Sequence, residues 1–317
     1  MRLCVIKIMK ILETFNLTKT YGIQNAVDNV NMTVNAGDIY GFVGLNGSGK
    51  TTLIRLITQL VRPNSGSFNL FGEEVKQGFF QSPNSEKRIS SMVETPSIYL
   101  NLNAVENIRA QCKIANVEIA DRPQKLLEFV GLDPNSKKKA NNFSLGMRQR
   151  LGIAMALVVD PKFMLLDEPT NGLDPEGIIE IRNLLVHLNK EMGITILISS
   201  HILTELLKFA TRYGFIHHGK LLKEVTAQEV FDSCGTTITV ECSNPELLLS
   251  KLPKDFPTQM NDGRITVRGG DEAMPQILQI ANKNNVLITN IQKTEQGLED
   301  YFINLIKNED IKQVFPA

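Results

Sequence analysis

Short apolar runs recur along the first two thirds of the chain, and glycine, proline or polar residues bound each of them. Runs of this length that are rich in Val, Ile, Phe and Thr are typical of β-strands. The run from Phe163 to Leu166 is apolar throughout and ends in two carboxylates, as in a parallel strand buried on both faces. The pattern predicts strands over residues 11–18, 26–34, 38–43, 65–71, 162–168 and 194–198.

Between these strands, apolar residues recur with the period of an α-helix. Ser144 stands directly before one such stretch, where its side chain is well placed to cap the helix N-terminus. Strands that alternate with helices favour an α/β domain, in which ligands bind beyond the carboxyl ends of the strands. The predicted helices span residues 53–60, 104–115, 123–130, 144–159 and 176–190.

From about residue 225 the elements become shorter, and strands alternate with helices through the rest of the chain. The pattern predicts strands over 236–241, 264–268 and 286–292, and helices over 245–252, 273–284 and 298–307. We therefore predict two domains, 1–224 and 225–317, of which the second is a small α+β domain of the ferredoxin-like kind. It has no clustered His, Cys or paired carboxylates, so an interaction or dimer-stabilising role is favoured over a ligand sensor.

The composition gives no indication of a nucleic-acid partner, of a metal site built from cysteines or of a membrane-spanning helix. Lys plus Arg and Asp plus Glu both number 34, so the net charge gives no indication of a nucleic-acid partner. The four cysteines are scattered without metal-binding spacing, as is typical of reduced thiols in a cytosolic protein. No apolar run approaches the ~18 residues that a membrane-spanning helix needs.

The strongest chemical signal is the segment 44–52, which lies between a predicted strand and a predicted helix and reads GLNGSGKTT. This is a phosphate-binding P-loop in its required context. The glycines let backbone N–H groups turn toward phosphate oxygens, and the following helix presents its positive end. We predict that Lys50 reaches the β- and γ-phosphates, that Thr51 ligates Mg²⁺, and that Thr52 adds a hydroxyl near the α-phosphate. The nucleotide-binding set within the loop is Gly44, Asn46, Gly47, Ser48, Gly49, Lys50, Thr51 and Thr52.

Further candidate residues follow other predicted strands. Asp167 and Glu168 end the buried strand at 162–168, where Asp167 is predicted to anchor Mg²⁺ through water and Glu168 to orient or deprotonate the attacking water. His201 follows the strand at 194–198, and a γ-phosphate contact is predicted for it. Tyr21 lies in a loop before the P-loop, and both a base-stacking role and a packed surface position stay open.

With these residues in order, the chain resembles the nucleotide-binding subunit of an ABC transporter over about residues 11–224. Segment 44–52 matches Walker A and 165–168 matches Walker B. Tyr21 matches the adenine-stacking aromatic, Glu94 the Q-loop position, and His201 the switch histidine. The segments 144–147, with Ser144 and Gly146, and 171–174, with Asp174, match the signature motif and the D-loop.

Two departures from the family pattern are informative. Glu94 stands where the family usually has glutamine, and the signature reads FSLGM instead of LSGGQ. Both departures look like the bacitracin and lantibiotic immunity branch, in which an ATPase subunit with a C-terminal extension works with a separately encoded permease.

The resemblance implies an ABC-type domain with a mixed sheet and a helical signature subdomain over about residues 90–160. It implies ATP and Mg²⁺ as ligands, with Thr51, Glu94 and Asp167 near the metal. It also implies a head-to-tail homodimer that sandwiches ATP between Walker A of one subunit and Ser144, Gly146 and Asp174 of the other.

The function that the resemblance implies is ATP hydrolysis by Lys50, Glu168 and His201, coupled to export of a peptide antibiotic or a related amphipathic compound. The subunit would sit at the cytoplasmic face of the membrane and touch it only through the permease. The alternative is a soluble ABC ATPase with a regulatory, antibiotic-sensing, translation-associated or DNA-associated role. Such proteins usually carry two nucleotide domains or a long coiled-coil insertion, and this chain has neither pattern.

Overall fold

A computed structural model describes residues 9–75, 89–233, 236–253, 256–261, 263–268, 273–295, 301–303 and 305–307. The chain divides into two compact units, Met1–Thr226 and Ala227–Ala317. Within the described residues, no helix has both the length and the apolar character needed to cross a membrane.

The first unit contains two β-sheets. Strands β1 to β6 are Lys10–Tyr21, Gln24–Val30, Thr33–Asn35, Ile39–Val43, Ser65–Leu70 and Glu73–Glu74. Strands β7 to β11 are Ile89–Met92, Phe163–Asp167, Thr195–Ser200, Arg212–His217 and Lys220–Thr226. One sheet is antiparallel in the order β2-β1-β5-β6, with β3 also paired to β1. The other has the order β11-β10-β4-β9-β8-β7 and is parallel except for β11.

Six α-helices accompany these strands in the described part of the first unit. They are α1 (Lys50–Ile57), α2 (Ala104–Ile114), α3 (Arg122–Phe129), α4 (Leu145–Ala156), α5 (Pro175–Met192) and α6 (Leu203–Leu206). Helices α2, α3 and α4 pack on one another. Ser144 caps α4 as predicted, since its Oγ accepts a hydrogen bond from the Met147 N–H at 3.2 Å.

The core of this unit lies between the sheets and around α1. Strands β4 and β8 are buried at every position, and α1 buries Leu53, Ile54, Leu56 and Ile57. Burial of each such side chain contributes roughly 1.5–3 kcal/mol, which fixes the start of α1 against the sheet. Burial, together with the neighbouring Glu224 carboxylate, raises the pKa of Tyr40, whose neutral hydroxyl donates to Glu224 at 2.8 Å.

The α/β architecture predicted from the sequence is confirmed, and two element boundaries need correction. The single strand predicted over 26–34 is two strands, because the backbone is left-handed at Asn29 (φ 49°) and leaves the ladder after Val30. Helix α1 begins at Lys50, three residues before the predicted start, because the P-loop leads directly into it. Strands β10 and β11, which are not among the predicted strands, form a hairpin around His218 and Gly219.

The second unit contains α7 (Ala227–Ser233), β12 (Thr236–Cys242), α8 (Pro245–Lys251), β13 (Thr258–Asn261), β14 (Arg264–Arg268), α9 (Ala273–Lys283) and β15 (Ile288–Glu295). The antiparallel sheet has the order β13-β14-β12-β15, which is the βαββαβ arrangement of the ferredoxin-like fold. Its core is formed by buried residues of the sheet and both long helices, including Ile238, Val240, Ile265 and Ile277. Strand β13 was not predicted, and the helix predicted over 298–307 lies partly outside the described residues.

Candidate nucleotide site

The P-loop connects buried strand β4 to helix α1. Gly49 takes a left-handed conformation (φ 111°) and ends the loop without any side-chain cap on α1. The first N–H groups of α1 are therefore not satisfied by a capping side chain, as expected of a helix terminus that receives an anion. A Cβ at Gly49 would overlap the carbonyl oxygen of Ala26, so the loop depends on glycine at this position.

Lys50 folds back over the loop in which it lies. Its side chain is only 5% exposed, and Nζ donates to the carbonyl oxygens of Gly44 at 2.8 Å and Leu45 at 3.2 Å. Nζ also lies 3.2 Å from Oε1 of Glu168. The ammonium group is thus centred between the glycine loop and the carboxyl end of β8.

Two carboxylates face the loop from the end of β8. Asp167 is 1% exposed, and its Oδ2 accepts a hydrogen bond from Thr51 Oγ1 at 2.7 Å. Glu168 has a left-handed backbone (φ 50°), which is uncommon for a residue with a side chain and occurs often at functional sites. Its Oε2 lies 2.7 Å from Nδ1 of His201. Because a carboxylate only accepts, this hydrogen bond requires the proton on Nδ1.

The residues present fit a nucleotide with Mg²⁺. Thr51 and Asp167 offer two oxygen atoms, and Mg²⁺ usually completes such a protein pair with waters and phosphate oxygens. Ser48 Oγ is buried and has no hydrogen-bond partner among the described residues, so a polar group of the loop is left for a ligand.

A second group of predicted residues lies together at the start of α4. Ser144 and Gly146 line the same cavity as Gly172, Leu173 and Asp174. Asp174 is the N-cap of α5, where its Oδ1 accepts from the Gly177 N–H at 3.0 Å. The structure therefore brings together the residues predicted to act on the nucleotide of the partner subunit.

Tyr21 and Glu94 lie outside both groups. Tyr21 ends β1 with its ring half exposed, and Lys19 Nζ lies 5.2 Å from the ring centroid. Glu94 has a left-handed backbone (φ 61°), and its carboxylate pairs with Arg55 Nη2 at 2.6 Å. Among the described residues, the contacts that join Lys50, Thr51 and the β8 carboxylates do not extend to either residue.

Comparison with known proteins identifies the family. Residues 27–171 match the family described as ABC transporter. The chain is 41% identical to the bacitracin transport ATP-binding protein BcrA of Bacillus licheniformis, over 93% of this chain and 97% of that protein. The chain belongs to the ABC transporter ATP-binding family.

A second relative and a solved structure agree with this assignment. The lantibiotic transport ATP-binding protein SrtF of Streptococcus pyogenes is 43% identical, over 66% of this chain and 88% of that protein. A dimeric ATP-binding cassette in a post-hydrolysis state, bound to ADP and Pi, superimposes with a TM-score of 0.60 at 25% identity. That match covers 68% of this chain and 99% of the cassette. The ABC domain is a nucleotide-binding ATPase domain, as the P-loop predicted.

The sequence analysis missed two residues that contact the candidate nucleotide site, Gly219 and Ser199. The Gly219 N–H donates to the Ser48 carbonyl oxygen at 2.9 Å, and the Gly219 carbonyl accepts from the Asp28 N–H at 2.8 Å. The turn between β10 and β11 is thus hydrogen-bonded to the P-loop at Ser48. Ser199 hydrogen-bonds to Asp167 at 2.6 Å. Neither residue lies in a recognisable motif, although Ser199 is two positions before His201.

Replacement of Gly219 by alanine is expected to weaken ATP binding. A Cβ there would lie 3.0 Å from the Asn25 carbonyl oxygen and 3.1 Å from that of Ala26, so the turn must move and carry Ser48 with it. A displaced loop should lower kcat/KM for ATP roughly 10-fold or more, with most of the change in KM.

Gly193→Ala is the matched control for this prediction. Gly193 ends α5 with a similar left-handed backbone (φ 64°), and a Cβ there meets nothing within 4 Å. Both variants carry the roughly 1–2 kcal/mol strain of a left-handed alanine and should melt at lower temperature. Steady-state kinetics that give both variants the same KM for ATP would contradict a role of the turn in holding the loop.

Proposed function

We propose that this ABC subunit hydrolyses ATP to power a separately encoded permease that exports a peptide antibiotic of the bacitracin or lantibiotic kind. The observation that carries the proposal is the joining of Lys50, Thr51, Asp167, Glu168 and His201 at one sheet edge. The full-length match to a bacitracin transport protein supports the coupling and the substrate class.

In the proposed reaction, Lys50 exchanges its contacts with Gly44, Leu45 and Glu168 for the β- and γ-phosphate oxygens. The exchange frees the Glu168 carboxylate to orient and deprotonate the attacking water. His201 steadies Glu168 from the other side and contacts the γ-phosphate. Thr51 and Asp167 would hold Mg²⁺, which would neutralise charge on the phosphates.

The second group of residues completes the site of a partner copy. Gly146 lies in the first turn of α4 and Ser144 caps it, so this helix can present N–H groups to the γ-phosphate bound by the other subunit. Asp174 borders the same cavity. ATP thereby joins two copies head to tail, and hydrolysis releases them; the dimeric form of a similar cassette supports this arrangement.

Tyr21 and Glu94 act at the edges of the nucleotide. Tyr21 stacks on adenine through the ring that is half exposed at the end of β1. Glu94 would contact the metal or its water in place of Arg55, with which it pairs at 2.6 Å. Both partners of that ion pair are substantially exposed, so it contributes about 0–1 kcal/mol at most and is readily exchanged.

An apolar surface beside Glu94 is the proposed contact for the permease. Tyr99 and Leu100 are each 48% exposed. The loop that carries them is held by buried Asn107, whose Nδ2 donates to the carbonyl oxygens of Tyr99 at 3.1 Å and Asn103 at 2.9 Å. A rigid loop that exposes large apolar side chains is suited to receive a helix of a membrane subunit.

The proposed coupling predicts the effect of charge on that surface. The double variant Tyr99→Glu, Leu100→Glu should release the permease, because two carboxylates would be buried in the interface without partners. Basal ATP hydrolysis should stay within about twofold of wild type, since neither residue contacts the P-loop. Ile114→Glu, at an exposed apolar position near the end of α2, is the matched control.

The test is affinity purification of the tagged chain from its native membranes in mild detergent, followed by mass spectrometry. The proposal expects a multi-spanning membrane protein with wild type and Ile114→Glu, and its loss with the double variant. Deletion of the gene for that membrane protein should also raise the sensitivity of the cells to bacitracin or a lantibiotic. Recovery of ribosomes, of DNA or of no membrane protein would instead support the soluble ABC ATPase.

A further inference from the structure

Ser199 occupies a buried position beside the end of β8, where it contacts the Asp167 carboxylate and the backbone of Glu168. It lies in β9, beside β8 in the parallel sheet, where Asp167 pairs with Ser199 in register. Its side chain has no exposed surface. The Oγ donates to Asp167 Oδ1 at 2.6 Å and accepts from the Glu168 backbone N–H at 2.9 Å.

These two hydrogen bonds act on different features of the site. The first, together with the Thr51 hydroxyl on Oδ2, gives each oxygen of Asp167 a hydroxyl donor and fixes the plane of the carboxylate. The second holds the amide of Glu168, the residue with the left-handed backbone. A single hydroxyl group therefore fixes both the orientation of one carboxylate and the backbone from which the other projects.

We propose that Ser199 is a positioning residue that sets the Asp167 carboxylate for Mg²⁺ and the Glu168 carboxylate for the attacking water. The inference rests on the proposed function, because it gives Asp167 and Glu168 the roles assigned there. Ser199 itself has no exposed surface, so we expect it to act through these two residues.

Loss of this hydroxyl would leave two buried groups without a hydrogen-bond partner. Without Oγ, the buried Asp167 Oδ1 loses its donor and the Glu168 N–H loses its acceptor. Because the position is fully buried, bulk water does not replace either partner freely. The Asp167 carboxylate can then turn toward other donors, and the strained backbone at Glu168 loses a restraint. Partners of metal ligands typically change metal affinity or activity by about 10–100-fold when removed.

The adjacent serine provides a matched control. Ser200 is 2% exposed and also lies in β9, but the hydrogen bonds of its Oγ are with Ile202, from whose N–H it accepts at 2.9 Å, and not with Asp167 or Glu168. Ser199→Ala and Ser200→Ala thus remove the same atom from neighbouring buried positions of one strand. A general effect of a lost hydroxyl on folding should appear in both.

The experiment compares metal binding and hydrolysis in the full chain. Mn²⁺ binding in the presence of a non-hydrolysable ATP analogue, followed by electron paramagnetic resonance, reports the metal site without turnover. Fluorescent ATP binding in EDTA reports the P-loop without metal. Ser199→Ala should weaken Mn²⁺ binding about 10-fold or more and lower kcat, with ATP affinity in EDTA within about twofold of wild type.

The possible outcomes distinguish the positioning role of Ser199 from the roles that the proposed function gives to Asp167 and Glu168. If Ser199→Ala matches Ser200→Ala in Mn²⁺ affinity and kcat, the positioning role is wrong while the proposed function stands. If wild type itself needs no divalent metal for hydrolysis, or Asp167→Asn keeps full Mn²⁺ affinity, the roles of the proposed function fail first. Ser199→Cys keeps the side-chain shape with a larger atom and a weaker donor, and should show the same direction of change if the alanine variant is unstable.

Discussion

Replacement of Lys50 by alanine is expected to reduce ATP hydrolysis by on the order of 10²–10³-fold, as loss of one charge-stabilising donor does in other active sites. Lys50 is buried between the P-loop carbonyls and Glu168, and its ammonium is the cation that we propose binds the phosphates. The loss should reach kcat as well as ATP affinity, because the charge on the γ-phosphate shifts during its transfer. Steady-state phosphate release and fluorescent ATP titration measure the two quantities.

Lys125→Ala is the control for the lysine substitution. Lys125 is an exposed lysine on α3 that pairs with exposed Asp121 four residues earlier, and surface pairs of this kind contribute little. Its hydrolysis rate should match wild type. Hydrolysis at the wild-type rate by Lys50→Ala would remove the basis for reading segment 44–52 as the phosphate site.

Replacement of Glu168 by glutamine is expected to separate binding from chemistry. The amide keeps the size of the side chain but is a poor base, so hydrolysis should fall by about 10²–10⁴-fold. ATP binding should persist, because the negative charge 3.2 Å from Lys50 Nζ is removed while the P-loop is unchanged. With ATP and Mg²⁺ present, the variant should accumulate as a dimer by size-exclusion chromatography with light scattering.

Glu128→Gln, at an exposed position on α3, controls for the loss of a carboxylate. It should hydrolyse ATP at the wild-type rate and remain monomeric after turnover. If Glu168→Gln hydrolyses ATP normally, another group deprotonates the water. If it stops hydrolysis but stays monomeric with ATP bound, the head-to-tail dimer is wrong and the catalytic assignment survives.

Much of the fold and most of the candidate site could be predicted from short segments of the sequence. The P-loop could be recognised because strand β4, the glycines and α1 are continuous in the chain, so the required context lies within a few residues. Asp167 could be placed near Thr51 because parallel strands in an α/β sheet end at one edge, and the 2.7 Å contact agrees. Ser144 followed from the preference of helix N-termini for serine.

The features that could not be predicted depend on contacts between distant segments. Residues 199 and 200 are both serine, so the sequence alone does not distinguish them. Only the register of β9 against β8 places Ser199, and not Ser200, in contact with Asp167. The contact of Gly219 with Ser48 joins residues 171 positions apart through the β10–β11 turn. The Arg55–Glu94 pair likewise depends on how α1 faces the segment after β7, which no local pattern specifies.

The most direct test of the central claim is reconstitution of the purified chain with the membrane protein that it captures, in proteoliposomes that contain ATP and Mg²⁺. If the chain powers that permease, a peptide antibiotic of the proposed class should stimulate hydrolysis and cross the bilayer. Both effects should be absent with Glu168→Gln. Hydrolysis that is unchanged by the membrane protein and by the peptide would show that the ATPase serves another purpose.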